Sequence, residues 1–132
     1  MKKRVVLFLA VLLLLVSVCW PAAEAHAAMM NVHGSCFLSA NGKSVTYGGV
    51  SSSPQTEDYI KVVAVLYEQR NGTWHEVHRT SSSQTNSNIA TTSTTYTVTG
   101  GYYYKVIAYH TATTGSTTSS ITTNTSSRWI SN

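Results

Sequence analysis

The sequence predicts an all-β domain, a two-sheet sandwich of about seven antiparallel strands that occupies residues 28–132. Three observations support this prediction. No segment of this region repeats its apolar residues with the 3.6-residue period of a helix. The region is rich in Thr, Tyr, Val and Ile, which favour half-buried pleated strands. Turn signals also recur at the short intervals that are typical of sandwiches.

These turn signals divide the region into strands. They are Asn41-Gly42, Ser51-Ser52-Ser53-Pro54, Asn71-Gly72, Gly100-Gly101 and the loop around Gly115. The predicted strands, in chain order, are 32–39, 43–50, 59–70, 73–81, 88–98, 101–111 and 118–130. So many short strands in about 100 residues favour two packed layers.

The C-terminal half of the chain has an unusual composition that could indicate a disordered stalk. Ser and Thr supply 27 of the 53 residues from Thr80 to Asn132. Proline is absent from this tract, and Thr is a good strand former. Aromatic and aliphatic residues also recur throughout it, so we expect the tract to bury a core.

The turn at Asn71-Gly72 fixes a register, because this dipeptide suits a two-residue type I′ hairpin. The turn places Glu68 opposite His75 and Leu66 opposite Val77. Alternation then predicts an inner face with Ile60, Val62, Ala64, Leu66 and Val77, and an outer face with Lys61, Val63, Val65, Tyr67, Trp74, Glu76 and His78. On the strand after Gly101, the predicted inner residues are Tyr102, Tyr104, Val106 and Ala108, and the outer ones are Tyr103, Lys105, Ile107 and Tyr109.

Two features of the pattern are similar to known families. Tyr104-x-Val106-x-Ala108 resembles the sixth strand of fibronectin type III domains, although the cysteine pair of antibody domains is missing. Four segments together resemble a family of small exported proteins from spore-forming Gram-positive bacteria: Tyr59–Tyr67, Asn71–Trp74, Gly101–Val106 and Gly115–Ser120. The resemblance implies a signal peptide and an immunoglobulin-like or fibronectin-III-like sandwich. It implies no catalytic residues.

The N-terminus predicts a helical signal peptide over residues 1–27. Lys2, Lys3 and Arg4 form a basic head before the apolar run Val5–Cys19, and small residues at Ala23, Ala25 and Ala27 provide overlapping cleavage sites. The run is shorter than the roughly 20 apolar residues of a spanning helix. A lipoprotein site at Cys19 is also disfavoured, because Val18 is not the small residue such sites need. We therefore expect a secreted, extracellular domain at 28–132 with no stable membrane anchor.

Charge and cysteine content restrict the function classes. After cleavage, six basic and four acidic residues leave a net charge of 6 − 4 = +2, and these residues are scattered. Nucleic-acid binding usually needs a clustered basic patch, so it is not expected. Cys36 is the single remaining cysteine, which excludes a disulfide within the domain. It is interpreted as a small buried apolar residue, with pairing between chains or a reactive thiol as alternatives.

No catalytic or metal-binding motif is found. His75-Glu76-Val77-His78 is not a zinc motif on a strand, because residues three apart point to opposite faces. Pairing of Cys36 with a histidine is supported by no motif, and Glu57 and Asp58 are interpreted as a solvated loop. The sequence therefore predicts a protein that is not an enzyme and needs no metal or cofactor.

The candidate binding site is an aromatic patch on the predicted outer face. Its members are Tyr67, Trp74, His78, Tyr103, Lys105 and Tyr109. The sequence favours a secreted, non-catalytic binding module for a cell-wall polysaccharide, another extracellular polymer or a protein partner. Two alternatives stay open: a self-assembling extracellular matrix protein, and an exported inhibitor or small effector.

Overall fold

The computed structural model describes residues 32–132, and this region is built from antiparallel β-strands. The predicted signal peptide and its cleavage sites at Ala25 and Ala27 lie outside the described residues. Six strands form one sheet: β1 (His33–Asn41), β2 (Ser44–Arg70), β3 (Thr73–Thr97), β4 (Tyr102–Thr114), β5 (Thr117–Asn124) and β6 (Arg128–Ile130). Within 32–132 no helix is long and apolar enough to cross a membrane.

The long strands β2 and β3 organise the sheet. The first part of β2 pairs with β1 through residues 44–52, and its second part pairs with β4 through residues 59–69. β3 follows β2 along both parts, and β4 also pairs with β5 and β6. β2 and β3 run through both parts, and the sheet is strongly curled into a half-barrel. The prediction of an all-β antiparallel fold is confirmed. The predicted division into two sheets is not found in residues 32–132, because β2 and β3 continue through both parts and join all six strands into one sheet.

The strand count differs from the predicted one because the segment Ser51–Pro54 bends β2 without ending it. Pairing between β2 and β3 is interrupted between Ser52 and Glu57, where Pro54 offers no N–H to a ladder. Predicted strands 43–50 and 59–70 are therefore one strand, and 73–81 and 88–98 merge in the same way. The predicted strand 118–130 is instead divided into β5 and β6.

The core lies inside the curl and matches the predicted inner faces of two strands. Ile60, Val62, Ala64 and Leu66 of β2 are fully buried, as are Tyr104, Val106 and Ala108 of β4. Val45, Tyr47, Val98 and Ile130 join the larger of two apolar clusters. The smaller cluster includes Val32, Ile60 and Val62 and lies near the bend. The Ser/Thr-rich tract is ordered in β3, β4 and β5, as expected from its apolar residues.

The hairpin at Asn71-Gly72 forms as predicted, with φ angles of 51° and 78°. The predicted register holds for four residue pairs, from Arg70–Thr73 to Tyr67–Glu76. Val77 of β3 then has no partner on β2, so it forms a β-bulge opposite Leu66 and Tyr67. Leu66 therefore faces His78 and not Val77, which corrects the predicted pairing. A bulge adds one residue to one strand, so alternation shifts by one position beyond it.

Candidate functional site

Four outward side chains lie in register across one end of the sheet. Gln69 of β2 pairs with Trp74 of β3 and with Tyr103 of β4, and Tyr103 pairs with Trp129 of β6. We call Trp74, Gln69, Tyr103 and Trp129 the aromatic row. Adjacent strands lie about 4.8 Å apart, so the row spans about 14 Å across four strands.

The rings of the aromatic row differ in how they are held. Tyr103 and Trp129 contact each other edge to face, with ring centroids 5.0 Å apart, and they are 45% and 50% exposed. Trp74 is half-buried, and the Lys105 ammonium lies 4.3 Å from its ring centroid. One end of the row is therefore fixed by a cation–π contact, and the other offers open aromatic surface.

The predicted tyrosines Tyr67 and Tyr109 lie on the same outer face but form a separate group. The pKa of Tyr67 is raised to about 12. The main cause is its hydrogen bond with Tyr109, and the second cause is burial. Between them Val65 is only 1% exposed although it points outward, and Arg79 is its partner on β3. Arg79 is in turn held by two 2.6 Å hydrogen bonds to Glu76. Tyr109 is 43% exposed and Tyr67 is half-buried, so this group offers one open ring where the aromatic row offers two.

His78 does not belong to the outer patch, which corrects its predicted place. The bulge turns it toward the interior, where its ring stacks on Tyr96 at 4.2 Å. Its Nδ1 lies 2.8 Å from the Tyr47 hydroxyl. Burial is the main cause that raises the pKa of Tyr47 to about 12, so this hydroxyl keeps its proton at neutral pH. His78 is therefore part of the packing between the two parts of β3.

The nearest approach to a catalytic pair is a fully buried contact between Ser51 and His110. Ser51 Oγ lies 2.8 Å from His110 Nδ1 and 2.8 Å from the Lys61 carbonyl oxygen. The carbonyl can only accept, so the Ser51 hydroxyl donates to it and accepts from Nδ1–H. His110 Nε2 then accepts from Thr123, 2.8 Å away. In this arrangement His110 does not act as a base toward Ser51, and burial lowers the pKa of the imidazole.

A second buried polar group lies beneath a cleft of about 250 Å³ at the end of the half-barrel. The Tyr104 hydroxyl is 2.5 Å from both Glu68 Oε2 and the Thr99 carbonyl oxygen, and Arg70 donates to the other carboxylate oxygen. Burial alone would raise the pKa of Glu68, but the hydrogen bonds from Arg70 and Tyr104 outweigh it and lower the pKa. Both carboxylate oxygens are therefore occupied by groups of the chain itself.

Glu57 and Asp58 lie in β2 and not in the predicted loop, and of the two only Asp58 is exposed as predicted. Glu57 is 1% exposed and accepts hydrogen bonds from Ser53, at 2.5 Å, and from Thr114. Asp58 accepts from the Gly115 amide at 2.7 Å. Both carboxylates thus hold the turn between β4 and β5 against the bend of β2. No group of three His, Cys, Asp or Glu side chains in residues 32–132 could hold a metal ion.

Cys36 is a partly exposed free thiol in the described region. It packs against the core on one side and lines an open groove of about 520 Å³ between β1 and residues 125–128. The predicted burial is therefore incomplete.

Comparison with known proteins adds no family. No protein-family model matches the sequence, and no curated protein matches it. Among solved structures, the solution structure of R. palustris CsgH aligns with 71% of this chain and 90% of its own, at 13% identity and a TM-score of 0.44. A similarity at this level carries no functional argument, so the interpretation below rests on the site itself.

Two members of the aromatic row, Gln69 and Trp129, are not among the predicted site residues. Residues 118–130 are predicted as one strand, so Trp129 has no predicted neighbour on β4. The structure divides this segment, and β6 then pairs again with the start of β4 through Tyr103 and Trp129. Ser126-Ser127 before the aromatic residue is the signal that could indicate a break.

Proposed function

We propose that this protein is an exported, non-catalytic binding module that holds a polysaccharide chain on the aromatic row. The row itself is the observation that carries the proposal. Exposed aromatic surface in register on neighbouring strands is typical of an interaction site. Flat rings can stack on the apolar faces of sugar rings. A length of about 14 Å favours a segment of a polymer over a single sugar.

The polar groups near the row support a polymer rich in hydroxyl groups. The Gln69 amide lies between Trp74 and Tyr103, and it can both donate to and accept from sugar hydroxyls. Lys105 lies over Trp74, and Glu76 is paired with Arg79. Because this surface has no dense positive charge, a neutral polysaccharide fits it better than a nucleic acid does.

Co-sedimentation of the purified protein with insoluble cellulose, chitin and cell-wall sacculi tests the proposal. We expect Trp129→Ala to reduce retention by at least about tenfold, because the open end of the row disappears. Phe37→Ala is the matched control, since Phe37 is 40% exposed on the outer face of β1. Circular dichroism of each variant reports whether the fold is intact.

Three results would contradict the polysaccharide proposal. In the first, none of the three polymers retains the wild-type protein. In the second, Trp129→Ala and Phe37→Ala are both retained as well as the wild-type protein. In the third, both variants keep their fold and both lose binding, which assigns the effect to general adhesion of exposed rings.

The proposal includes export through residues 1–27 and a relationship to the small exported proteins of spore-forming Gram-positive bacteria with immunoglobulin-like or fibronectin-III-like sandwiches. The basic head, apolar run and small-residue exit support export. N-terminal sequencing of protein recovered from the culture medium provides the test. A first residue of His26 or Ala28 is expected, and protein that stays in the cell with Met1 intact contradicts export.

A further inference from the structure

β3 presents a long strand edge. It pairs with β2 along one side, and within residues 32–132 no strand pairs with its other side. An unpaired edge exposes backbone N–H and C=O groups that can accept another strand. On the side of β2 that is away from β3, β1 packs close to β5, so the edge of β1 is less open.

The first part of β3 carries features that oppose pairing with a further strand. Glu76 and Arg79 place charges there, and the bulge opposite Leu66 and Tyr67 disturbs the ladder. At the bend, Asn86 has a φ of 50°. Next to it, the Ser87 hydroxyl donates to the Ile89 carbonyl oxygen at 3.0 Å and lies 3.2 Å from the Ile89 amide nitrogen. Ser87 therefore caps the backbone groups of Ile89 that point away from β2.

The second part of β3 has none of these protections. Residues 90–97 contain no charge, proline or glycine and are mostly Thr. Just beyond them, the Val98 amide donates to the Lys43 carbonyl oxygen at 2.9 Å, so the backbone groups of Val98 point toward β2. Backbone groups alternate in direction along a strand, so those of Tyr96, Thr94 and Thr92 also point toward β2. The N–H and C=O groups that point away from β2 then belong to Thr91, Ser93, Thr95 and Thr97, whose side chains are all exposed.

We propose that this edge pairs with the same edge of a second copy, antiparallel about a twofold axis at Thr94. In this register Thr91 faces Thr97 of the other copy, and Ser93 faces Thr95. Each such pair exchanges two backbone hydrogen bonds, so four pairs give about eight. A second copy suits the edge because identical uncharged strands bring no like charges together. The sheets of the two chains then join through β3 into one continuous sheet.

Sedimentation velocity of the full chain, from about 10 µM to about 1 mM, tests this pairing through mass action. We expect the mass to approach twice the monomer mass as concentration rises. Ser93→Lys should weaken dimerisation at least about tenfold, since it adds a charge at the edge. Thr95→Pro should do the same, because it removes an outward N–H and leaves the ladder with β2 complete. Ser39→Lys is the matched control: Ser39 pairs with Thr46, which pairs with Thr95, so it adds the same charge to the same face at the β1 edge, in the row next to that of Ser93.

Disulfide trapping tests the twofold register. In a background with both Cys19→Ala and Cys36→Ala, Thr94→Cys should form a covalent dimer on oxidation, because facing residues in a non-hydrogen-bonded pair have Cα atoms about 4.5 Å apart. A protein that stays monomeric at every concentration overturns the proposal. A dimer that Ser93→Lys and Thr95→Pro leave unchanged, or that Ser39→Lys weakens equally, overturns it as well. A dimer that is sensitive to the edge variants but is not trapped by Thr94→Cys overturns the register at Thr94.

Discussion

Lowering the pH should reduce the free energy of unfolding of this protein because His110 resists protonation in the folded state. The substitution His110→Gln should remove that part of the pH dependence. The imidazole is fully buried between Ser51 and Thr123, and burial lowers its pKa below the ordinary 6.5. Burial disfavours the charged form of this ring, and its two hydrogen-bond partners, Ser51 and Thr123, carry no charge. Gln has a neutral amide that can both donate and accept, but it cannot take up a proton.

The sign of the effect follows from proton binding in the two states. Between the lowered pKa of the folded protein and 6.5, the unfolded chain holds the proton and the folded chain does not. The free energy of unfolding therefore rises with pH in this window. The stabilising contribution of neutral His110 to the free energy of unfolding is complete above pH 6.5. It is lost as the pH falls from 6.5 through the lowered pKa of the folded protein. The slope reaches at most about 1.4 kcal/mol per pH unit for one proton.

Urea denaturation between pH 5 and pH 8 measures this slope. His110→Gln should be less stable at every pH, by about 1–3 kcal/mol, because the buried ring packs less completely when replaced. Its stability should, however, change less with pH than that of the wild-type protein. His75→Gln is the control, since His75 is exposed on β3. The reasoning is refuted if wild-type and His110→Gln proteins have the same slope, or if the wild-type protein gains stability between pH 6.5 and 5.

Three further substitutions test the buried polar groups and close contacts, each by urea denaturation. Tyr104→Phe should lower stability by about 2–3 kcal/mol, because it leaves the buried Glu68 carboxylate short of a donor; a loss below about 0.5 kcal/mol would show that water replaces the hydroxyl. Gly34→Ala should cost about 2 kcal/mol or more, because a Cβ there would lie 2.3 Å from His110 Cδ2. Gly42 has open space around it but a φ of 59°, so Gly42→Ala should cost only about 1–2 kcal/mol of stability. A loss from Gly42→Ala that equals or exceeds the loss from Gly34→Ala would contradict the steric explanation.

The faces of two strands could be predicted because alternation is a local property. Ile60, Val62 and Leu66 are inside and Tyr103 is outside, as the period of two requires. The type I′ turn at Asn71-Gly72 was equally predictable, since both residues tolerate positive φ. Two members of the aromatic row follow from these two facts, because Trp74 and Tyr103 belong to strands that this turn and the Gly101 turn place.

The bulge on β3 could not be predicted in the same way. Val77 and His78 have no glycine or proline near them that would indicate an extra residue. The tertiary structure favours the shift because His78 then reaches Tyr47 and Tyr96 from the other part of the sheet. A contact between residues that are distant in the chain therefore decided a register that local alternation had assigned otherwise.

The sequence by itself determined the strand-rich composition, the principal turns and the alternation of most inner and outer residues, because each depends on neighbours a few positions apart. The tertiary structure alone decided that β2 and β3 continue through the bend, that His78 turns inward and that Trp129 completes the aromatic row. These outcomes depend on which strands pair across the curled sheet. Pairing is set by the burial of Tyr47, Tyr104 and Ile130 in a common core, and that burial exists only once distant segments have met.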